Sequence, residues 1–334
     1  MIVVTGATGF VGTYLIDELV KNKFEVIATG LSKIGEEYYD EMGISFIRLN
    51  VADESDFDKL PTANIDAVIH LATLLPANVK QYNPRDYINV NIIGTVNMLE
   101  YCRKNGINKN ISTTTHSDVQ NYWQYGKPIT EDAAKSYRYT GDHAMYVISK
   151  NAAADCVEHY NQQYGMQGIV FRLPAVYGYG PHSSIFVNGK YHKTGFQIFV
   201  ENSLEGKPLE VWGNPNAGRD MVYVKDVVSA FVNALDSKKA KGLYNIATGK
   251  ATSLVEQARV TVEVFSPPNK KSKIVFCPEK PSIEPYLYDV TKAKDDFGYQ
   301  PRYSFKEMMI DYKKEMESER FKHLIGREDK RKNR

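Results

Sequence analysis

Tyr146 and Lys150 stand four residues apart in the run YVISK. On a helix that spacing brings both side chains to one face. An ammonium beside a phenol favours the phenolate and lowers the tyrosine pKa from its reference near 10. A tyrosine so placed can exchange a proton with a substrate hydroxyl while a hydride moves. A hydride needs a carrier, and the start of the chain offers it a seat. Gly6-Ala7-Thr8-Gly9-Phe10-Val11-Gly12 separates an apolar run from a helical stretch. In such a loop the first glycine allows a tight turn. The second lets backbone approach a pyrophosphate, and the third lets helix pack on strand. N–H groups at the helix start then hold the phosphates.

Both motifs need a rigid frame, and the first half of the chain supplies its pattern. Apolar runs occur at 2–5, 25–29, 44–49, 67–71, 111–115 and 168–173. Segments of helical period lie between them, such as Val11, Leu15 and Leu19, or Val90, Ile93, Val96 and Leu99. Strands apolar throughout and separated by helices imply a parallel sheet covered on both faces. The expected fold is a doubly wound α/β Rossmann domain with a smaller C-terminal substrate lobe. Residues 1–175 form the dinucleotide-binding part, with 226–250 returning to it. Residues 176–334 are mainly the substrate lobe and a basic tail, the tail expected to be a solvated end. The stretch around Gly178, Gly180, Pro181, Ser183, Ser184 and Gly189 reads as a long functional loop.

Composition narrows the classes. The 334 residues are 43% hydrophobic and 25% charged, an ordinary globular mix. Lys+Arg is 42 against Asp+Glu 40, so no net charge draws the chain to nucleic acid or an anionic membrane. No run approaches the roughly 18 apolar residues of a spanning helix. The N-terminus does not read as a signal peptide. Cys102, Cys156 and Cys277 lie far apart and suggest buried thiols in a reducing compartment rather than a metal or disulfide framework. Cytoplasmic residence, no metal and a homodimer are the expectations.

The motifs together resemble an extended short-chain dehydrogenase/reductase, the branch with sugar-nucleotide epimerases and dehydratases. The resemblance spans almost the whole chain. It includes Asp66-Ala-Val-Ile-His70-Leu-Ala72, Asn91-Ile-Ile-Gly94-Thr95, Arg172-Leu-Pro-Ala-Val-Tyr177-Gly178, and Arg219-Asp220-Met-Val-Tyr223-Val-Lys-Asp226. It continues in Asp289-Val-Thr-Lys292 and Gly298-Tyr-Gln-Pro301. It implies cofactor contacts from the glycine loop with Thr8, Phe10 and Val11, and from Asn50, Val51, Leu71, Ala72, Thr73, Asn91, Pro174 and Val176. It implies Tyr146 and Lys150 as catalytic, and Arg219 and Tyr177 on a nucleotide-sugar, Arg219 pairing with the diphosphate.

The family also holds the reacting oxygen with a Ser or Thr ending the fifth strand. Counting from Asn91 makes this Thr115, and a one-residue slip makes it Thr114. His116 then stands where dehydratases carry an acid, and could contact substrate as an extra acid or base near neutral pH; His143 is a weaker candidate. At the end of strand two, Gly30 replaces the usual ribose-binding Asp. Ser32 and Lys33 could meet a 2′-phosphate, so the cofactor is NAD or NADP with a slight lean to NADP. Asn50 replaces an Asp near the adenine. The expected activity is a nucleotide-sugar epimerase working by hydride out and back. Alternatives are an NADPH-dependent keto-sugar or carbonyl reductase, a dehydratase, or a non-catalytic dinucleotide-binding protein.

Overall fold

Seven parallel strands make the central sheet of the computed structural model, which describes residues 1–79, 81–124, 126–141, 143–180, 184–187, 190–318 and 321. Six come from the first half: β1 Ile2–Thr5, β2 Val26–Gly30, β3 Ser45–Arg48, β4 Ala67–His70, β5 Lys109–Thr115 and β6 Gln167–Leu173. The seventh, Gly242–Asn245, arrives late in the chain and pairs with β6. Spatial order is 242–245, β6, β5, β4, β1, β2, β3. The order reverses between β1 and β4, so the carboxyl ends of those strands open the crevice where a doubly wound sheet takes its ligand.

The strands form because their residues suit burial on two faces. Ile2, Val3 and Val4 are almost wholly buried, as are Ala67, Val68 and Ile69. Alternate positions feed opposite cores: Val4 and Ile69 pack with Leu15, Ile16 and Leu19 of helix α1 (Phe10–Lys21). Val3 and Val68 pack with Met98, Leu99 and Val157 on the other side. The remaining helices of this half are α2 (Lys33–Glu41), α3 (Pro84–Tyr87), α4 (Gly94–Lys104) and α5 (Ala144–Gln163). A turn of π-helix, Ile88–Ile93, joins α3 to α4. Such turns are rare and gather at functional sites.

Beyond residue 175 the sheet elements are short. Leu209–Trp212 runs parallel with Ile274–Cys277, and Gly218–Asp220 antiparallel with Ala251–Ser253. Val176–Tyr177 pairs with Val222–Tyr223. The stretch read as a loop contains a hairpin, Ser184–Val187 with Lys190–Lys193. Alternating residues of a short hairpin carry little hydrophobic period, which is why the pattern there is faint. The segment 284–289 runs between the two halves. Its Pro285 carbonyl accepts from Gln124 N–H, its Leu287 carbonyl from Ile129 N–H, and its Tyr288 N–H donates to Asp220. Most of the basic tail lies outside the described residues, and the three cysteines are free thiols. No described helix is long and apolar enough to cross a membrane.

Candidate active site

Helix α5 carries Tyr146 in its first turn and Lys150 one turn later. Lys150 is only 6% exposed, and burial pulls its ammonium down from 10.5 to about 8. Its Nζ donates to Thr113 Oγ1 at 3.3 Å. The expected lowering of the phenol by Lys150 is not what this arrangement gives. Burial pushes Tyr146 up to about 12, and the opposing influence is a hydrogen bond from Thr115. Desolvation of the charged form outweighs that bond while the phenol faces a low-dielectric pocket.

The strand β5 presents its threonines alternately. Thr114 Oγ1 donates to the main-chain carbonyl of Lys150 at 3.5 Å. Thr115 Oγ1 accepts the Ser117 N–H at 3.2 Å, which directs its own O–H toward the Tyr146 phenol. Thr115, not Thr114, therefore shares a point in space with Tyr146.

The loop at the sheet reversal has the shape a dinucleotide pyrophosphate requires. Gly6 sits at φ +70°, and a Cβ there would lie 2.6 Å from the Ala72 nitrogen. A Cβ on Gly12 would lie 2.3 Å from the Gly6 carbonyl oxygen. Gly9, the N-cap of α1, leaves its first-turn N–H groups facing outward with no capping side chain. Each glycine is needed for a different reason, and the cradle fits the cofactor. Leu71 and Ala72 line it through backbone: Leu71 N–H donates to Thr5 O, and Ala72 N–H to Thr5 Oγ1. Val51 packs against Gly94, where a Cβ would stand 2.8 Å from its Cγ2. Asn50 is partly engaged, its Oδ1 accepting the Ala52 N–H at 3.2 Å.

Asn91 holds this region together rather than facing a ligand. Its Oδ1 accepts from Thr73 Oγ1 (2.9 Å) and Leu74 N–H (2.7 Å). Its Nδ2 donates to the Leu74 carbonyl (3.3 Å) and Ser149 Oγ (2.9 Å). A carboxamide has two donors and two acceptor sites, so all four are taken by protein. The Asn91 side chain, expected at the cofactor, ties the 73–74 loop to the residue before Lys150. The π-turn turns Asn91 inward to make it.

Gly30 ends β2 with Thr8 Oγ1 and Phe46 close by, within 3.2 and 3.3 Å of where a Cβ would be. No carboxylate stands at that position. Ser32 caps α2, and Lys33 pairs with Glu37 across 3.7 Å on an exposed face.

Beyond Thr115, the surroundings of His116 favour its neutral form. Burial together with the Arg219 and Arg172 guanidiniums pushes its imidazole down to about 3, and its ring N–H donates to the Leu173 carbonyl. The expectation of an acid or base near neutral pH fails for that reason. Its ring stacks on Trp123 (5.0 Å, 16°) and tilts against Tyr286 (5.1 Å). Arg219 lies over the same Tyr286 ring at 5.7 Å, and its Nε donates to the Glu284 carbonyl at 3.1 Å. Tyr177 packs edge-on to Phe196. Val176, with Pro174 two residues before it, stands on the short strand beside Val222. His143 is exposed just ahead of α5. Trp123 and Tyr286 were not foreseeable from motif spacing, and Thr113 and Ser149, though inside the motif runs, give no sign there that they pair with Lys150 and Asn91. Trp123 and Tyr286 are 163 positions apart and carry no motif of their own.

Residues 2–247 match the profile of the NAD dependent epimerase/dehydratase family. The chain is 29% identical to a UDP-N-acetyl-alpha-D-glucosaminuronate decarboxylase of Bacillus cytotoxicus, over 91% of this chain and 94% of that one. It is 27% identical to UDP-glucuronic acid decarboxylase 6 of Arabidopsis thaliana, over 92% and 85%. Among solved structures it is similar to a UDP-glucose 4-epimerase of Thermotoga maritima bound to UDP-glucose, at 25% identity and TM-score 0.78, covering 95% and 98%.

Proposed function

We propose that this chain, which belongs to the NAD dependent epimerase/dehydratase family, epimerises a nucleotide-sugar through a transient ketone. The observation that carries the reading is the meeting of Thr115 and Tyr146 at the carboxyl end of β5, the edge of the parallel sheet that also bears the glycine cradle, with a neutral ring next in sequence. Tyr146 acts in its ionised form, which the Thr115 hydrogen bond favours against burial, to take the proton of a sugar hydroxyl, and Thr115 steers that oxygen by its hydroxyl. Lys150, one helical turn on and bonded to Thr113, keeps its positive charge at neutral pH, since its pKa near 8 lies above 7. A nicotinamide dinucleotide held by the Gly6–Gly12 loop would supply the acceptor for the sugar hydride and the means of returning it. Tyr146 then gives its proton back to the ketone oxygen, and the centre is inverted because the rotated ketone takes the hydride on its opposite face. Arg219 holds the diphosphate end, and Tyr177 lies beside it.

A dehydratase needs an acid to help water leave and a base beside the ketone. Here His116 has no proton to give at neutral pH, and the Ser117 backbone is tied to Thr115. For the cofactor we propose NADP over NAD, because Gly30 offers no carboxylate to the ribose and has Thr8 beside it, with Ser32 at the N-cap position of α2 two residues on. The test is turnover of nucleotide-sugars by the dinucleotide-loaded protein, followed by proton NMR of the sugar. Epimer formation without net change in dinucleotide redox state is expected. Stoichiometric oxidation of NADPH would instead identify a reductase.

A further inference from the structure

We propose that Phe321 is a positioning residue for the dinucleotide loop, holding it from behind through Tyr14, Tyr179 and Phe10. Phe321 stands four residues past the last described helix, Phe305–Glu317, in the stretch expected to be a solvated tail. Its ring is instead fully buried. This role concerns the dinucleotide seat and holds whichever sugar reaction follows.

The contacts run ring to ring from the chain end to the phosphate seat. Phe321 lies 5.3 Å from the Tyr14 ring and 6.2 Å from that of Tyr179. The Tyr14 O–H donates to the Tyr179 carbonyl at 2.7 Å, which closes these three residues into one unit. Tyr14 in turn meets the Phe10 ring edge-on at 5.9 Å. Phe10 opens α1 directly after Gly9, where the first-turn N–H groups face outward. Its ring has no slack on the other side. A Cβ on Gly178 would stand 2.9 Å from it, and one on Gly180 2.4 Å. Phe10 is thus clamped between Tyr14 and the turn that carries Tyr179. Both sides of the clamp rest on Phe321.

Other anchors bring the chain end there. Asp311 accepts from the Tyr223 O–H, and Lys225 pairs with Asp311 (2.6 Å) and Glu315 (2.7 Å). These bonds fix the last helix to the start of the helix Val224–Asp236. Tyr312 packs edge-on to Tyr179 at 5.7 Å. Beyond that helix, Phe321 is the sole buried side chain among the described residues. Burial of one phenylalanine favours a closed form by roughly ten- to a hundredfold, so the end can open without unfolding the sheet. Opening takes one face from both Tyr14 and Tyr179, and a gap in a close-packed interior is passed to its neighbours. Phe10 is the neighbour that touches the loop. An element with two positions, one of which favours the bound state, ties the chain end to dinucleotide affinity in both directions.

The test titrates the full chain with NADP, or with NAD where that binds more tightly. Phe321→Ala should weaken the dinucleotide about tenfold, within the usual range of such coupling. Phe321→Leu, which refills most of the space, should recover most of the loss. In the parent, saturating dinucleotide should slow tryptic cleavage after Arg320 by a similar factor, since limited proteolysis follows the open population. Mass spectrometry of the released peptide measures that rate. A residue that only filled the core would leave cleavage indifferent to dinucleotide. Unchanged affinity in Phe321→Ala would overturn the role, and so would cleavage at one rate with and without dinucleotide. The parent experiment decides the matter even where Phe321→Ala does not fold. Failure of the parent to bind either dinucleotide would overturn both this role and the hydride chemistry above.

Discussion

Thr115 donates its hydroxyl to the Tyr146 phenol, while Thr114 turns its own to the Lys150 carbonyl. One residue along a strand reverses the face, so the two hydroxyls cannot exchange roles. Thr115→Val should therefore lower kcat by about a hundredfold, the scale of losing one donor to a developing oxyanion. Thr114→Val should change it by only a few-fold. Steady-state rates of the two variants decide the assignment, and equal losses would refute it.

Tyr146→Phe keeps the ring in its pocket and removes the acid–base group. Turnover should fall by about a hundredfold or more, with dinucleotide affinity unchanged. Isothermal titration beside the rate assay separates the two. A variant with undiminished rate would mean that another residue moves the proton.

Removing Arg219 tests the diphosphate. A charge-assisted bond to phosphate is worth roughly 1.5–3 kcal/mol, so Arg219→Ala should weaken nucleotide-sugar binding by about 10- to 100-fold. Affinity for the dinucleotide should be unaffected. If binding of UDP-sugars is insensitive to this change, the diphosphate lies elsewhere.

The cofactor preference turns on one missing carboxylate. Gly30→Asp should raise the Kd for NADP at least about tenfold by charge repulsion and improve NAD. A Cβ at this position meets Thr8 and Phe46 closely, so Gly30→Ala serves as the steric control. Lys33→Ala should cost NADP no more than about fivefold, because Lys33 is exposed and already paired with Glu37. A parent protein indifferent to the 2′-phosphate in both backgrounds would end the case for NADP.

Lys150 also leaves a mark on stability. Its ammonium titrates near 8 when folded and near 10.5 when unfolded, so between those values the unfolded chain binds more protons. Stability must then rise with pH across that window by up to about 3 kcal/mol from this group. Lys150→Met should abolish that rise, leaving the variant more stable than the parent at pH 7. Chemical denaturation of both proteins at pH 7.5 and 10 measures the difference.

The frame and the chemistry differ in how far residue order reveals them. Ile2 to Thr5 and the glycines after it are legible because one local requirement, a turn tight enough for phosphate, dictates several neighbouring types at once. Tyr146 and Lys150 are legible for the same reason, being one helical turn apart. The state of His116 is not, since it depends on Trp123, Tyr286 and two arginines brought together by tertiary packing. Asn91 shows the limit from the other side. Its position is readable, but the partners that fill all four of its hydrogen bonds come from a loop and a helix far along the chain. The Tyr146 phenol likewise follows its burial, which spacing does not encode.

The late arrival of the strand Gly242–Asn245 has a consequence for biosynthesis. Until those residues leave the ribosome, β6 is the outer edge of a nearly finished sheet, seven residues long and apolar through Gly168–Phe171. Roughly 70 further residues must be made before its partner exists, several seconds at ordinary elongation rates. Throughout that interval the nascent chain offers an open template to other chains. Premature termination after residue 175 should accordingly yield aggregates rather than a free dinucleotide-binding module, and this stage of synthesis is where a chaperone would matter most.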